Sequence, residues 1–173
     1  MVRVYLGVGS NIERERYICA GLDALQGLFG DLLLSPVYDS AAIGFDGQPF
    51  LNLVVGVDTD LRPGELQRRL RHIEFEHGRP RNASPCSPRQ LDIDILTWGD
   101  AVGDVEGVAL PRGEILENAF VLRPLADLAP EACHPVDGRS YALLWRSYDQ
   151  GTQRLQRVAF SWRGRAISQA QDV

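Results

Sequence analysis

Residues 87–96 read SPRQLDIDIL. Side chains alternate between the two faces of a β-strand, so Asp92 and Asp94 are predicted to project from one face and the apolar residues around them from the other. Burying two carboxylates on one face is costly unless they are paired or bind a metal ion. Hard cations such as Mg²⁺ are bound by one or two carboxylates together with substrate phosphates. The stretch indicates a Mg²⁺–phosphate site, and the alternative is the solvated face of an edge strand.

Length and composition narrow the class of protein. A chain of 173 residues is long enough for one domain with a substantial core. The net charge of −5 does not favour general binding of polyanions. The three cysteines are widely spaced and form no C-x-x-C motif, which argues against a disulfide framework or a zinc site. No segment has the apolar length of a membrane span, and residues 1–7 lead directly into a strand-like run rather than a signal peptide. We therefore expect a cytoplasmic protein.

Apolar periodicity predicts an α+β fold. The predicted order is a strand at 2–7, a helix ending at Gly30, a strand at 32–40 interrupted by Pro36, a strand at 50–58, a helix from Pro63 to Gly78, and the strand of Asp92 and Asp94. This β-α-β-β-α-β order is that of the ferredoxin-like sandwich, an antiparallel sheet with two helices on one face.

C-terminal additions follow this unit. An irregular stretch to Pro111 is predicted, then short helices at 114–118, 120–128 and 140–145, with a break at Pro124, and a last strand at 158–162. We predict a single domain over residues 1–162. Residues 163–173 form a polar tail that we expect to fray.

Further chemistry-bearing residues are predicted near the carboxylates. Arg79, Arg81 and Arg89 belong to the loop that precedes the Asp92 strand. Carboxylates, Mg²⁺ and arginines together fit phosphoryl-type transfer from ATP. Phe50, Asn52 and Phe120 fit a flat heteroaromatic acceptor that is stacked by aromatic rings and bound at its edge by an amide. The alternatives are a solvated loop for the arginines and a hydrophobic core for the aromatics.

Several motifs carry a family resemblance. They are YLGVGSN at 5–11, QPFLN at 48–52, GR at 78–79, PRQLDIDIL at 88–96, LP at 110–111, FVLRPL at 120–125 and AP at 129–130. Between about Val4 and Trp145 the chain resembles the 6-hydroxymethyl-7,8-dihydropterin pyrophosphokinases. The P-R-x-x-D-x-D segment is the specific motif. Members of this family transfer pyrophosphate from ATP to a pterin alcohol in folate biosynthesis, so the resemblance implies an enzyme with that activity.

The resemblance also implies roles for individual residues. Asp92 and Asp94 would bind two Mg²⁺ ions, and Arg79 and Arg89 would be catalytic by steadying the triphosphate. The implied ATP-binding residues are Glu74, Arg79, Arg81, Arg89 and Arg112, and the implied pterin-binding residues are Ser40, Ala41, Ile43, Phe50, Asn52 and Phe120. The partners would be small molecules, namely ATP and a hydroxymethyl-dihydropterin. We expect no nucleic acid or membrane partner, and a monomer.

The chain departs from the family pattern at several positions, and Ser40-Ala41 replaces a more usual Thr-Pro. Arg112 stands where members usually have a histidine, Asn118 where they usually have an arginine, and the loop around Cys86 has no aromatic residue. These changes would also fit a paralogue that binds pterin and nucleotide without this activity, or that acts on another pterin. An RNA-binding ferredoxin-like module is disfavoured by the acidic net charge and by the lack of paired aromatics on the central strands.

Overall fold

The computed structural model describes residues 1–40, 49–78, 90–149 and 155–171. The strands in these residues are β1 (Val2–Ser10), β2 (Leu33–Leu34), β3 (Val37–Ser40), β4 (Phe50–Thr59), β5 (Asp92–Trp98), β6 (Gly103–Val105), β7 (Val108–Leu110), β8 (Leu155–Val158), β9 (Phe160–Trp162) and β10 (Arg165–Ser168). The helices are α1 (Arg14–Phe29), α2 (Pro63–Glu76), α3 (Glu114–Glu117), α4 (Ala119–Leu128) and α5 (Tyr141–Ser147). None of these helices combines the length and apolar character that crossing a membrane requires.

The main sheet is antiparallel and has the strand order β5-β1-β4-β3-β8, with β2 also paired to β4. This arrangement confirms the predicted β-α-β-β-α-β unit. The interruption expected at Pro36 separates β2 from β3. Proline has no N–H for the ladder, and the neighbouring Ser35 compensates: its N–H donates to the Val54 carbonyl over 3.0 Å, and its hydroxyl accepts from the Val54 N–H over 2.8 Å.

Helices cover both faces of the sheet. On the first face, α1 and α2 pack their helically spaced apolar residues against the sheet, and the core there includes Ile18, Leu22, Leu25, Leu66, Leu70, Ile73, Leu91, Ile93 and Ile95. This confirms that the apolar residues around Asp92 and Asp94 face a core. On the second face, helices α3 to α5 pack over Val54 and Leu96. The predicted C-terminal additions thus form a third layer.

The stretch before Pro111 is more regular than expected. Strands β6 and β7 form a hairpin, and its turn places Glu106 and Gly107 at positive φ angles of 54° and 89°. Two positive φ values suit a tight two-residue turn. Glutamate is an unusual residue at such a position, so the sequence carries only a weak turn signal.

Three C-terminal expectations were wrong. Helix α4 continues through Pro124, because its buried residues Val121, Leu122 and Leu125 hold it against the second face. The chain end is not frayed at residues 165–168, which form β10 and pair with β9. The last predicted strand is also divided, since β8 joins the main sheet while β9 pairs with β10.

Candidate active site

Three strands bring polar residues together on the second face of the sheet. Gly9 of β1 is opposite both Asn52 of β4 and Asp92 of β5, and residues opposite each other in an antiparallel ladder share a face. With strands about 4.8 Å apart, the Asn52 and Asp92 backbones are about 10 Å apart across this glycine. A Cβ atom on Gly9 would lie 2.6 Å from Asn52 Oδ1. Glycine therefore leaves the floor open between the Asn52 amide and the carboxylates.

The two carboxylates interact directly, as their spacing predicted. Asp94 is opposite Gly7 in the β1–β5 ladder, two residues along β5 from Asp92. Burial, followed by the charge of Asp92, raises the pKa of Asp94 to about 7, and the nearby guanidinium groups offset this only in part. Two adjacent carboxylates that resist joint ionisation attract a cation.

Two arginines flank Asp94 on opposite sides. Arg71 Nη2 of α2 lies 3.8 Å from Asp94 Oδ1, and Arg112 Nη2 lies 3.7 Å from Asp94 Oδ2. Burial opposes the charged form of both guanidinium groups, but the carboxylates beside them outweigh it and keep the pKa of each above its ordinary value. These four residues, Asp92, Asp94, Arg71 and Arg112, are called the carboxylate site below.

Glu74 connects helix α2 to strand β5. Its side chain is fully buried, and its carboxylate accepts a hydrogen bond from the Ile93 N–H over 2.7 Å and pairs with Arg71 Nη1 over 2.7 Å. The residue thus holds the strand between the two aspartates and also orients Arg71. Direct contact of Glu74 with ATP remains a prediction.

Glu114 connects two of the positions at which the chain departs from the family pattern, Arg112 and Asn118. Its Oε1 accepts from Arg112 Nη2 over 2.6 Å, and its Oε2 accepts from Asn118 Nδ2 over 3.3 Å. The backbone N–H of Arg112 donates to the Leu96 carbonyl over 2.9 Å. Arg112 is therefore held at both its backbone and its side chain, with the guanidinium group beside Asp94.

A cavity adjoins the carboxylate site at the outer edge of β5. Its volume is about 350 Å³, and its lining includes Gln67, Arg71, Asp94, Val108 and Arg112. Helix α2, the β6–β7 hairpin and the start of α3 form its walls. Ligand cavities typically begin at about 300 Å³, so this one can hold a small charged molecule.

Asn52 of β4 and Ser40 of β3 form a hydrogen-bonded pair on the same face, two and three strands away from β5. This pair of an amide and a hydroxyl group is called the amide pair below. Asn52 Nδ2 donates to Ser40 Oγ over 3.1 Å, and Phe50 is opposite Ser40 in the ladder. Phe120, in the first turn of α4, packs beside the second-face core. Phe120 therefore lies in the helical layer on the same face of the sheet as Asn52. Its stacking on a pterin stays a prediction.

A polar–aromatic group borders the amide pair. Tyr38 is opposite Asn52, and its hydroxyl donates to Asp127. Burial and this hydrogen bond raise the pKa of Tyr38 to about 12. The guanidinium of Arg123 lies over the rings of Tyr38 and Trp145, 5.5 Å and 5.1 Å from their centroids. Tyr38 is thus a neutral side chain in a fixed position beside the amide pair.

The donor set at the carboxylate site fits Mg²⁺. Within the described ranges, no group of three or more His, Cys, Asp and Glu side chains could hold a metal ion. Mg²⁺ usually keeps several waters and uses one or two carboxylates with substrate phosphates. A partly buried pair of hard oxygen donors beside a polar cavity meets that requirement, whereas it would not suit a metal that needs a complete protein cage.

Some predicted residues lie outside the described ranges, namely Arg79, Arg81, Arg89, Ala41 and Ile43. Conversely, sequence reasoning missed Gly9, Arg71 and Tyr38. The spacing of Arg71 and Glu74, three residues apart on one helix, was an available signal for an ion pair. Gly7 and Gly9 alternate within β1, which could have indicated a close approach on one face of the sheet.

Comparisons with known proteins agree with this geometry. Residues 5–130 match the family model described as 7,8-dihydro-6-hydroxymethylpterin-pyrophosphokinase. The 2-amino-4-hydroxy-6-hydroxymethyldihydropteridine pyrophosphokinase of Pseudomonas aeruginosa is 43% identical over 141 residues, which cover 79% of this chain and 86% of that protein. The protein of the same name from Aquifex aeolicus is 36% identical over 138 residues, with the same coverage of 79% and 86%.

Solved structures support the fold. The wild-type HPPK-DHPS of Plasmodium falciparum with pteroate aligns with a TM-score of 0.72 at 13% identity, covering 96% of this chain and 47% of that one. An HPPK-DHPS in complex with substrates aligns with a TM-score of 0.72 at 12% identity, covering 97% and 50%. The chain thus spans about half the length of these proteins. Together with the sequence matches, the fold and the paired aspartates lead to one conclusion: the chain belongs to the 7,8-dihydro-6-hydroxymethylpterin-pyrophosphokinase family.

Proposed function

We propose that the protein transfers pyrophosphate from ATP to the hydroxyl group of 6-hydroxymethyl-7,8-dihydropterin, giving AMP and the pterin diphosphate. The observation that carries the proposal is the partly buried pair Asp92 and Asp94, which lies on the same sheet face as the Asn52 amide and has Arg71 and Arg112 beside Asp94. Family membership supports the reaction type, since the relatives at 43% and 36% identity are named pyrophosphokinases.

The reaction needs little covalent participation by side chains. The pterin oxygen forms a bond to the β-phosphorus of ATP, the bond from that phosphorus to the α,β-bridging oxygen breaks, and AMP leaves as the hydroxyl proton is released. Catalysis of such a transfer is mostly positioning and charge neutralisation. Arg71 and Arg112 contribute two of the cationic groups from the described residues. Arg79, Arg81 and Arg89 would add others, and Arg79 and Arg89 would steady the triphosphate and the developing charge.

Asp92 and Asp94 would hold Mg²⁺, and we expect two ions. When bound there, Mg²⁺ neutralises phosphate charge and lowers the pKa of the attacking alcohol. The amide pair Ser40 and Asn52 would hydrogen-bond the polar edge of the pterin. Phe50 and Phe120, with Ala41 and Ile43, would enclose its flat ring. Glu74 is proposed as an ATP-binding residue, and it also holds Arg71 at 2.7 Å.

The second candidate is a paralogue that binds both ligands without forming AMP. The observation behind it is that Arg112 and Asn118 differ from the usual family residues and are engaged by Glu114. In that case, the guanidinium group would be withheld from the phosphates. Pterin-dependent thermal stabilisation without any AMP would identify this function.

The metal assignment is tested by Asp94→Ala, with AMP separated by chromatography. We expect AMP formation to become undetectable while the circular dichroism spectrum stays that of the parent, because a carboxylate on the second face of the sheet is not part of the apolar core. Asp31→Ala is the matched control, since Asp31 is exposed in the turn after α1. Near-parental turnover by Asp94→Ala would show that the metal assignment is wrong.

We also propose that the protein acts as a cytoplasmic monomer on these small molecules, without nucleic acid or membrane partners. Light scattering after size-exclusion chromatography should then give a mass near the 19.2 kDa of one chain. A mass of about twice that value would contradict the monomer.

A further inference from the structure

The C-terminal segment, residues 155–171, lies beyond the region that matches the family model, which ends at residue 130. It is nevertheless part of the main sheet. Strand β8 pairs with β3 in a register that ends with Ser40 opposite Leu155. Without β8, this side of β3 would expose unpaired backbone groups, as edge strands do. The segment therefore covers the strand that carries one member of the amide pair.

Ser168 joins β3 to β8 through its hydroxyl group. The Val37 N–H donates to Ser168 Oγ over 2.9 Å, and Ser168 Oγ lies 2.6 Å from the Val158 carbonyl, to which it donates. Ser168 is 6% exposed and Val37 is fully buried. A buried N–H without a partner costs free energy. Ser168 thus fastens the β3–β8 ladder at the end opposite Ser40.

The hairpin that carries Ser168 is itself fixed to helix α1. Phe160 and Trp162 of β9 belong to the first-face core. Trp162 Nε1 and Arg163 Nε both donate to Asp23 Oδ1, over 2.9 Å and 2.8 Å. After β10, the Gln171 N–H donates to a backbone carbonyl of β8 over 3.1 Å. The Ser168 hydroxyl is consequently held between anchored elements.

At its other end, β3 reaches the amide pair. Ser40 Oγ accepts from Asn52 Nδ2 over 3.1 Å. Arg14 Nη1 donates to Asp39 Oδ2 over 3.1 Å and to the Pro49 carbonyl over 3.0 Å, so the same strand end is also tied to α1. Because β3 has only four residues, we expect a shift at Val37 to displace Ser40 as well.

We propose that Ser168 is a positioning residue for the acceptor substrate. It fastens β3 between β4 and β8 and thereby sets the geometry of the Ser40–Asn52 pair that binds the edge of the pterin. Ser168 itself does not touch a substrate and acts only through the position of β3. The inference rests on the proposed function, and it assigns a role in the reaction to a segment outside the matched family region.

The test compares Ser168→Ala with Ser161→Ala in steady-state assays of AMP formation. Ser168→Ala is expected to raise the KM for 6-hydroxymethyl-7,8-dihydropterin about three- to tenfold, because positioning contributes strongly to such reactions. The kcat and the KM for ATP should stay within about twofold of the parent, since the carboxylate site lies at the opposite edge of the sheet. Ser161 is exposed on β9, so the control removes the same hydroxyl without affecting β3.

The outcomes separate the inference from the function on which it rests. An active parent with an unchanged pterin KM in Ser168→Ala would overturn the inference alone, as would an equal rise in both KM values. A parent that forms no AMP would overturn the proposed function, and the inference with it. If Ser168→Ala does not fold, the same assay is applied to Gln171→Ala. The exposed Gln171 side chain accepts a hydrogen bond from the Arg157 N–H of β8, the strand that pairs with β3. A smaller rise in the pterin KM is expected there, and no rise would overturn the inference.

Discussion

Asp94 lies between two guanidinium groups and beside a second carboxylate, yet its pKa is raised to about 7 because burial and Asp92 dominate. An aspartate in an unfolded chain titrates at about 3.9. The folded state therefore binds this proton more tightly. The free energy of unfolding of the ligand-free protein falls as the pH rises from about 4 to about 7, and this contribution is constant above that range.

The variant Asp94→Asn cannot ionise and should remove this loss. We expect it to be more stable than the parent at pH 8 by up to about 4 kcal/mol, with a difference that shrinks towards pH 4. Urea unfolding of both proteins in EDTA at pH 4.5 and pH 8 measures the two differences. A stability difference that is the same at both pH values would contradict the pKa assigned to Asp94.

Gly9 makes a different prediction, because its importance is steric. In Gly9→Ala the new Cβ would lie 2.6 Å from Asn52 Oδ1, so the amide must shift from the position in which it donates to Ser40. The KM for the pterin should rise about tenfold, while the free energy of unfolding changes by less than about 1 kcal/mol. The matched control is Gly7→Ala, whose Cβ would meet Leu96 at an ordinary 3.4 Å. Equal kinetics in the two variants would contradict this role of Gly9.

The residues at the site differ in how far the sequence predicts them. Alternation along one strand is a local property, so it placed Asp92 and Asp94 on one face and the apolar residues around them on the other. Arg71 belongs to helix α2 on the first face of the sheet, and its guanidinium group passes the edge strand β5 to lie near Asp94 on the second face. That contact depends on where α2 packs against the sheet, which local periodicity does not specify.

Helix α2 and strand β5 are joined through Glu74, and this link can be tested. Glu74→Gln keeps the shape but removes the charge that pairs with Arg71 and leaves an N–H group facing another donor. We expect a loss of about 2–4 kcal/mol in the free energy of unfolding. This is at or below the usual cost of breaking a buried ion pair, because the Arg71 side chain is partly exposed. Chemical denaturation measures this loss. Glu76→Gln is the control, since Glu76 is exposed on the same helix; equal losses in both variants would argue against the link.

Regular elements with clear periodicity could be predicted, whereas those set by turns and packing could not. The long helices and strands of the β-α-β-β-α-β unit follow from apolar spacing. The β6–β7 hairpin was missed because Glu106 occupies a positive-φ position that usually favours glycine or asparagine. Helix α4 was predicted to break at Pro124, but burial of its neighbours outweighs the lost hydrogen bond.

The described residues are organised around one main sheet with a core on each face, and the C-terminal segment contributes Phe160 and Trp162 to the core on the first face. We therefore predict one cooperative unfolding transition, seen identically by tryptophan fluorescence and circular dichroism. Trp162→Ala should lower the free energy of unfolding by about 3–5 kcal/mol, because this side chain is 7% exposed. Leu143→Ala, at an exposed position, is the control. A separate early transition of the C-terminal segment would contradict the prediction of one domain.

One assay decides whether the protein transfers pyrophosphate to a pterin. The pure protein is incubated with ATP and Mg²⁺, with and without 6-hydroxymethyl-7,8-dihydropterin, and AMP is quantified. We expect AMP only when the pterin is present, in equal amount to the pterin diphosphate. Absence of AMP at saturating concentrations of both substrates, from a protein that binds the pterin, would contradict the proposed activity and favour the binding paralogue.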